Sequence, residues 1–369
     1  MPRTRADDAC PGALQVHRAA DGALARVRLP GGMIRPAQLA ALASVSSRLG
    51  SGALELTARG NVQIRGITNA AALADEVAAA GLLPSATHER VRNIVASPLS
   101  GRLGGLADVR GWVGELDAAI QAEQALVTLP GRFWFGIDDG RGDVSGLGTD
   151  VGVHLLDDGA ALLLAGRDTG VRLSSADVVS AMVTVAMRFV DSRGKAWRVA
   201  ELDDPGALMP GFELSDARFT GGVPPPVGWI EQDDGRIALS AVVPLGVMPA
   251  RVAEYLAALD APLVITPWRS VLVCDLDEAV ADTALRVLAP LGPVFDENSP
   301  WVSVSACVGS PGCARSAADV RADAVAAAQT GDAGTRRHFV GCERACGSPP
   351  TGEVLVATRD GYRVLRAQP

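Results

Sequence analysis

At 369 residues, 48% hydrophobic and only 21% charged, the chain can bury more than one core, so two or three globular units are expected. A formal net charge of −8 excludes a general nucleic-acid or anionic-membrane surface, because both need a basic face. Any anionic ligand must therefore meet a local basic patch, and no window approaches the roughly 18 uninterrupted apolar residues of a membrane helix.

The first residues, Met1 to Cys10, are charged and hold no apolar signal core, so a cytoplasmic protein with reduced thiols is expected. From Val27 to Met33 a short strand leads into Pro36 and a helical pattern with Leu39, Leu42, Ala43 and Leu49 apolar. A strand-like run follows from Leu54 to Ile67. Its odd positions, Glu55, Thr57, Arg59, Asn61, Gln63 and Arg65, form a polar row opposite Leu54, Leu56, Ala58, Gly60, Val62 and Ile64. A half-exposed antiparallel strand accounts for such alternation, and so does a strand that faces a polar ligand with two guanidinium forks. Farther on, Gly146-Leu147-Gly148-Thr149-Asp150-Val151-Gly152 misses the dinucleotide fingerprint in its last spacing. A helix is predicted to open at Ser174 with Asp177 as a capping-box acid and Val178, Met182, Val185 and Phe189 on one stripe. The run Gly221-Gly222-Val223-Pro224-Pro225-Pro226 reads as a linker.

Beyond the linker the first pattern returns. Val242 to Met248 leads into Pro249 and a helix with Val252, Tyr255, Leu256 and Leu259 on one face, then a strand-like run from Leu263 to Leu276. Strand, helix, strand thus occurs twice, about two hundred residues apart, each copy followed by a longer segment. The second run has lost most of the polar row, which predicts that the first copy faces a ligand and the second mainly packs. The implied plan is 10–80, 85–200, a linker over 201–228, then 229–290 and 291–369.

Near the end come Cys307-Val308-Gly309-Ser310-Pro311-Gly312-Cys313 and Gly341-Cys342-Glu343-Arg344-Ala345-Cys346-Gly347. Four thiolates satisfy a cubane iron-sulfur cluster. Structural zinc usually spaces paired cysteines by two to four residues, so the five-residue gap fits it poorly, and reduced structural thiols are a third reading. Cys10 reads as part of a frayed terminus and Cys274 as a small buried hydrophobe. His17, His88, His154 and His338 are scattered, and no two-His-one-carboxylate grouping can be assembled from them.

The two cysteine pairs, the run from Leu56 to Gly66 and the run from Val91 to Pro98 resemble the sulfite and nitrite reductases. The resemblance implies an α+β fold: duplicated ferredoxin-like half-domains plus two sulfite-reductase-type α/β domains, related by a pseudo-two-fold internal repeat. It implies a 4Fe-4S cluster on Cys307, Cys313, Cys342 and Cys346, with Cys346 as the bridge to a second iron or macrocycle, and places Arg59 and Arg92 at an anion or at siroheme carboxylates.

Within the family, Pro244-Leu245-Gly246, Leu263 to Arg269 and Gly341 to Pro349 resemble the precorrin-3B synthase branch of aerobic cobalamin biosynthesis. Where sulfite reductases place two lysines after a Leu-Pro pair, this chain has Leu129-Pro130-Gly131-Arg132-Phe133-Trp134. Lys195 is the only lysine, so Arg132 can reflect composition, whereas Trp134 puts an apolar ring in place of a cation. That exchange suits a flat macrocycle better than sulfite. The branch implies precorrin-3A and O2 as substrates, hydroxylation with lactone formation, a separate NAD(P)H-linked reductase or ferredoxin as donor, and room for one additional mononuclear iron. Its substrate is expected to meet Arg59, Asn61, Gln63, Arg65, Arg92, Arg132 and Trp134. A siroheme-dependent sulfite or nitrite reductase is the alternative; a zinc-stapled or pigment-carrying module is a third.

Overall fold

The computed structural model describes residues 8–212, 214–219, 223–330 and 335–367. Residues 1–7, and Gly221 and Gly222 of the expected linker, lie outside them. The chain builds four units in succession. The first holds β1 (His17–Ala19), β2 (Gly22–Val27), β3 (Met33–Ile34), α1 (Pro36–Leu49), β4 (Ala53–Leu56), β5 (Val62–Ile67) and α2 (Ala70–Ala79). The second holds β6 (Ile94–Ala96), α3 (Arg110–Ala122), β7 (Phe135–Asp138), β8 (Val151–Leu156), β9 (Gly159–Leu164), β10 (Arg167–Leu173) and α4 (Val178–Ser192). The third repeats the first: β11 (Gly228–Glu231), β12 (Ile237–Val242), β13 (Val247–Pro249), α5 (Ala250–Ala257), β14 (Leu263–Ile265), β15 (Ser270–Leu276) and α6 (Glu278–Leu288). The fourth echoes the second with β16 (Val304–Ala306), α7 (Val320–Gln329), β17 (Arg337–Val340), β18 (Glu353–Thr358) and β19 (Gly361–Arg366).

In the second unit β6, β7 and β8 are parallel before β9 and β10 return antiparallel. In the fourth, β16, β17 and β18 are parallel and β19 returns. The first and third units exchange strands. β3 leaves its own sheet and pairs with β14, while β13 pairs with β4, giving the orders β1-β2-β5-β4-β13 and β11-β12-β15-β14-β3. One apolar core consequently runs through both units, from Leu39, Leu42 and Ile64 of one to Met248, Leu256 and Val273 of the other.

Two sequence expectations are corrected here. The run from Leu54 to Ile67 is a hairpin, so its odd positions do not share one face. Thr57 breaks it: its hydroxyl accepts from the N–H groups of Arg59 and Asn61 at 3.3 and 3.1 Å, and Gly60 turns the chain at φ +64°. The predicted capping box at Ser174 also fails. Ser174 donates to the Asp177 carboxylate itself, so neither side chain caps a backbone N–H and α4 starts at Val178.

A buried acidic group ends β7. Asp138 accepts four backbone N–H groups, from Gly140, Gly142, Val144 and Ser145, Asp139 pairs with Arg141, and Asp143 accepts from Ser97 at 2.6 Å. Burial, with Asp138 beside it, pushes Asp143 up to about 7.

The exchanged strands depend on close backbone approach at Gly32, which has φ +70° and where an added Cβ would stand 1.9 Å from the Ile265 carbonyl oxygen. Gly32→Ala should cost about 2 to 5 kcal/mol, summing left-handed strain and overpacking. Gly52→Ala, with φ +76° and open space, should cost only the strain, about 1 to 2 kcal/mol. Urea unfolding of both variants checks the contrast. For Asp143 the folded protein binds more protons than the unfolded chain between about pH 4 and its raised value near 7, so its charging costs stability as pH rises through that window. The stability of Asp143→Asn relative to the parent should therefore increase from pH 5 to pH 8 in thermal melts, and a difference independent of pH would contradict the assignment.

Candidate active site

The two exchanged hairpins aim their turns into one cavity of about 1000 Å³. The turns superimpose in their bonding: Thr57 N–H donates to Asn61 O at 2.9 Å and Thr266 N–H to Ser270 O at 3.0 Å, and Gly60 and Arg269 both bond back to the threonine carbonyl. Arg269 holds φ +60° where the first copy has Gly60 at +64°. The second hairpin therefore does not merely pack, as its sequence implied. It presents Trp268 and Arg269 to the cavity, as the first presents Arg59.

Eight arginines line the cavity: Arg26, Arg59, Arg132, Arg198, Arg269, Arg336, Arg344 and Arg366. Four of the chain's six tryptophans join them, namely Trp134, Trp197, Trp268 and Trp301. Among the described residues Glu343 is the single carboxylate of the lining, and Arg363 pairs with it. Arg59 and Arg198 lie 5.2 and 5.5 Å from the Trp134 ring centre and Arg132 lies 5.3 Å from that of Trp197, so the rings are braced by cations. Asp150 fixes this wall, accepting from Trp134 N–H at 3.0 Å, Val199 N–H at 2.7 Å and Arg198 Nε at 2.6 Å. Burial, then Arg198, pushes Arg59 down to about 9, which leaves it cationic at neutral pH. Neither Arg59 Nε nor Trp134 Nε1 has an acceptor among the described residues, and Trp134 is 7% exposed. Buried donors without acceptors suit a ligand that brings its own oxygens.

Of the residues singled out from sequence, Arg59, Arg132, Trp134 and Cys346 line this cavity, and Asn61, Gln63, Arg65 and Arg92 do not. Arg92 is spent on Asp117, at 2.6 and 2.8 Å. Arg65 pairs with Asp21 through two 2.7 Å bonds and reaches Gly312 O at 3.0 Å. Asn61 joins Leu29 N–H to Asn93, and Gln63 bridges Arg26 and Glu55. These four build the frame instead of facing a ligand. Arg26, Arg198, Trp197, Trp268 and Cys10 escaped the sequence reading. Setting the second repeat against the first would have found Trp268, which falls opposite Arg59.

The cysteines gather at the ends of parallel neighbours. Cys307 follows β16 and Cys342 follows β17, with Gly341 N–H donating to Cys307 Sγ at 3.4 Å. Cys307, Cys313 and Cys342 are half-buried, whereas Cys346 is open to the cavity. Partial burial and the nearby Cys307 and Cys342 push the Cys346 thiol up. Among the described residues the one trio of potential ligand atoms within 4.8 Å of one another is Asp138, Asp139 and Asp143, which Arg141 and backbone amides already satisfy. No three of the four sulfurs stand within 4.8 Å of one another, whereas a 2.3 Å zinc-sulfur bond would bring all four to roughly 3.8 Å in a tetrahedron. Soft donors and an amide on sulfur fit a cubane. Buried His338 bonds Ser305 Oγ at 2.8 Å and the Cys346 carbonyl at 3.0 Å. Burial, then Arg269, pushes it down to about 3, so the neutral ring donates to Cys346 O and positions that loop.

Residues 16–80 match the nitrite/sulfite reductase ferredoxin-like half domain. The chain is 27% identical to a precorrin-3B synthase of Sinorhizobium sp over 97% of its own length and 82% of the relative's. It is 33% identical to a ferredoxin–nitrite reductase of Synechococcus elongatus over 32% of its length and 25% of the relative's. The fold is that of the NirA protein of Mycobacterium tuberculosis, with a TM-score of 0.77 and 19% identity over 93% of this chain and 74% of that one. Among the described residues no helix is long and apolar enough to cross a membrane. Across nearly its whole length the chain is thus similar to a precorrin-3B synthase, and near its start it carries the half domain that the nitrite and sulfite reductases share.

Proposed function

We propose that the protein is an oxygen-dependent monooxygenase that hydroxylates precorrin-3A with lactone formation, yielding precorrin-3B. The observation that carries this reading is the cavity, whose eight arginines and four tryptophans meet the two demands of a polycarboxylate macrocycle. Carboxylates need paired cationic donors, and a flat ring needs aromatic walls. At about 1000 Å³ the space stands at the upper end of the roughly 300–1,000 Å³ typical of ligand pockets, which suits one tetrapyrrole.

The chain's own residues bind and orient. Arg59, Arg132 and Arg198 hold carboxylates along the Trp134 wall, and Arg269 and Trp268 close the opposite repeat. Cys307, Cys313, Cys342 and Cys346 would hold a 4Fe-4S cluster, which relays single electrons when bound. One oxygen atom enters the substrate and the other leaves as water, with two electrons from a separate NAD(P)H-linked reductase or ferredoxin. No ligand set for an additional mononuclear iron is assigned.

The likeness to a nitrite reductase keeps siroheme as a rival occupant of the same cavity. Turnover of precorrin-3A with isotopically labelled dioxygen tests the proposal: one labelled atom in the product and a lactone are expected, and reduction of nitrite or sulfite without such a product would overturn it. Binding separates wall from frame. Arg59→Met should weaken affinity for precorrin-3A or uroporphyrin by about 1 to 3 kcal/mol, roughly 5- to 150-fold. Arg92→Gln should leave the affinity unchanged while lowering stability, because its partner is Asp117. Absorbance titration reads both, and equal losses would place Arg92 at the ligand after all.

A further inference from the structure

Cys10 does not belong to a frayed end. Glu89 accepts backbone N–H groups from Ala13, Leu14 and Gln15, which pins the segment, and Cys10 itself is 9% exposed and lines the cavity. Its Cβ lies 2.8 Å from where a Cβ on Gly131 would stand, so that glycine makes room for it. Its sulfur accepts from Arg26 Nη1 at 3.2 Å and Arg28 Nη2 at 3.4 Å. Asp8 opposes them with one carboxylate, and Arg59 adds a further cation. A second observation points to a ligand in the cavity that Cys10 lines: Trp134, 7% exposed and part of the same lining, has no acceptor for its Nε1 among the described residues. Arg28, which bonds the Cys10 sulfur from outside the lining, likewise has no acceptor for Nη1.

We propose that Cys10 is a cavity-facing thiolate that soft electrophiles modify, and that its modification and macrocycle binding exclude one another. The exclusion rests on the macrocycle reading above; the reactivity does not. Burial raises the thiol, and Arg26 and Arg28 outweigh it, so the group titrates below the ordinary cysteine range. Cys274 is the opposite case, fully buried and pushed up to about 11. In alkylation by iodoacetamide the thiolate displaces iodide: a C–S bond forms, the C–I bond breaks, and no electrons are exchanged with a third partner.

The test is anaerobic labelling of the full chain, with its metal centre as isolated, followed by peptide mass spectrometry. Cys10 should react about tenfold or more faster than Cys274, with a half-maximal pH below that of N-acetylcysteine measured alongside. Arg26→Gln should slow the labelling at neutral pH. Saturating uroporphyrin, its binding followed separately by absorbance, should slow Cys10 about tenfold. A Cys10 rate no greater than that of Cys274 would overturn the thiolate. Uroporphyrin that binds without protecting would overturn the exclusion, and uroporphyrin that does not bind would remove the macrocycle reading, leaving the rates to decide the thiolate alone.

Discussion

The structure turns on an exchange of short strands. Met33–Ile34 abandons its own sheet for Leu263–Ile265, and Val247–Pro249 does the same toward Ala53–Leu56. Each sheet is thereby completed by the other repeat, and the two units cannot bury their apolar faces separately. The exchange brings the turns Thr57–Asn61 and Thr266–Ser270 to one cavity, since each follows a strand that the other repeat has extended. Gly32 and Gly246, both at φ +70°, allow the backbones to come this close. A site built from two such turns inherits the rigidity of both sheets, which favours fixed donors over adaptable ones.

Charge is distributed unevenly on that frame. A chain with net charge −8 directs eight arginines into one cavity that has, among the described residues, a single lining carboxylate. Elsewhere its guanidinium groups are consumed by structure. Arg65 joins Asp21 to Gly312 and Arg321 of α7 joins Glu55, while Arg269, itself one of the eight, also donates to Gly347 O at 2.6 Å, so Arg65 and Arg269 tie the cysteine-bearing loops to the hairpins. Substituting Arg321 removes a partner from the buried Glu55 carboxylate, which costs more than losing an exposed ion pair would. The cysteine loops and the cavity wall are thus one mechanical unit, with Cys346 and its His338-bonded carbonyl at the seam.

The repeat, the apolar faces of α1 and α5 and the grouping of four cysteines were legible because periodicity and spacing are local properties of the chain. The division of labour among arginines was not. Alternation assigned Arg59 and Arg65 to one face, but Thr57 and Gly60 fold the run into a hairpin, and only Arg59, in the turn, reaches the cavity. Arg92 looked equivalent to Arg59 until Asp117, on a helix twenty-five residues away, took its guanidinium. Cys10 and Arg198 come from segments without any pattern, held in place by Glu89 and Asp150. Such partners are long-range, and no reading of neighbours along the chain supplies them.

The central claim is that a macrocycle cavity stands beside a cysteine-held cluster. Anaerobic purification followed by assay of iron, zinc and acid-labile sulfide, with extraction of pigment into acidified acetone, tests it most directly. About four irons with matching sulfide and no extractable siroheme are predicted, leaving the cavity free for substrate. Stoichiometric siroheme would hand the cavity to sulfite or nitrite chemistry, and zinc without sulfide would contradict the account altogether.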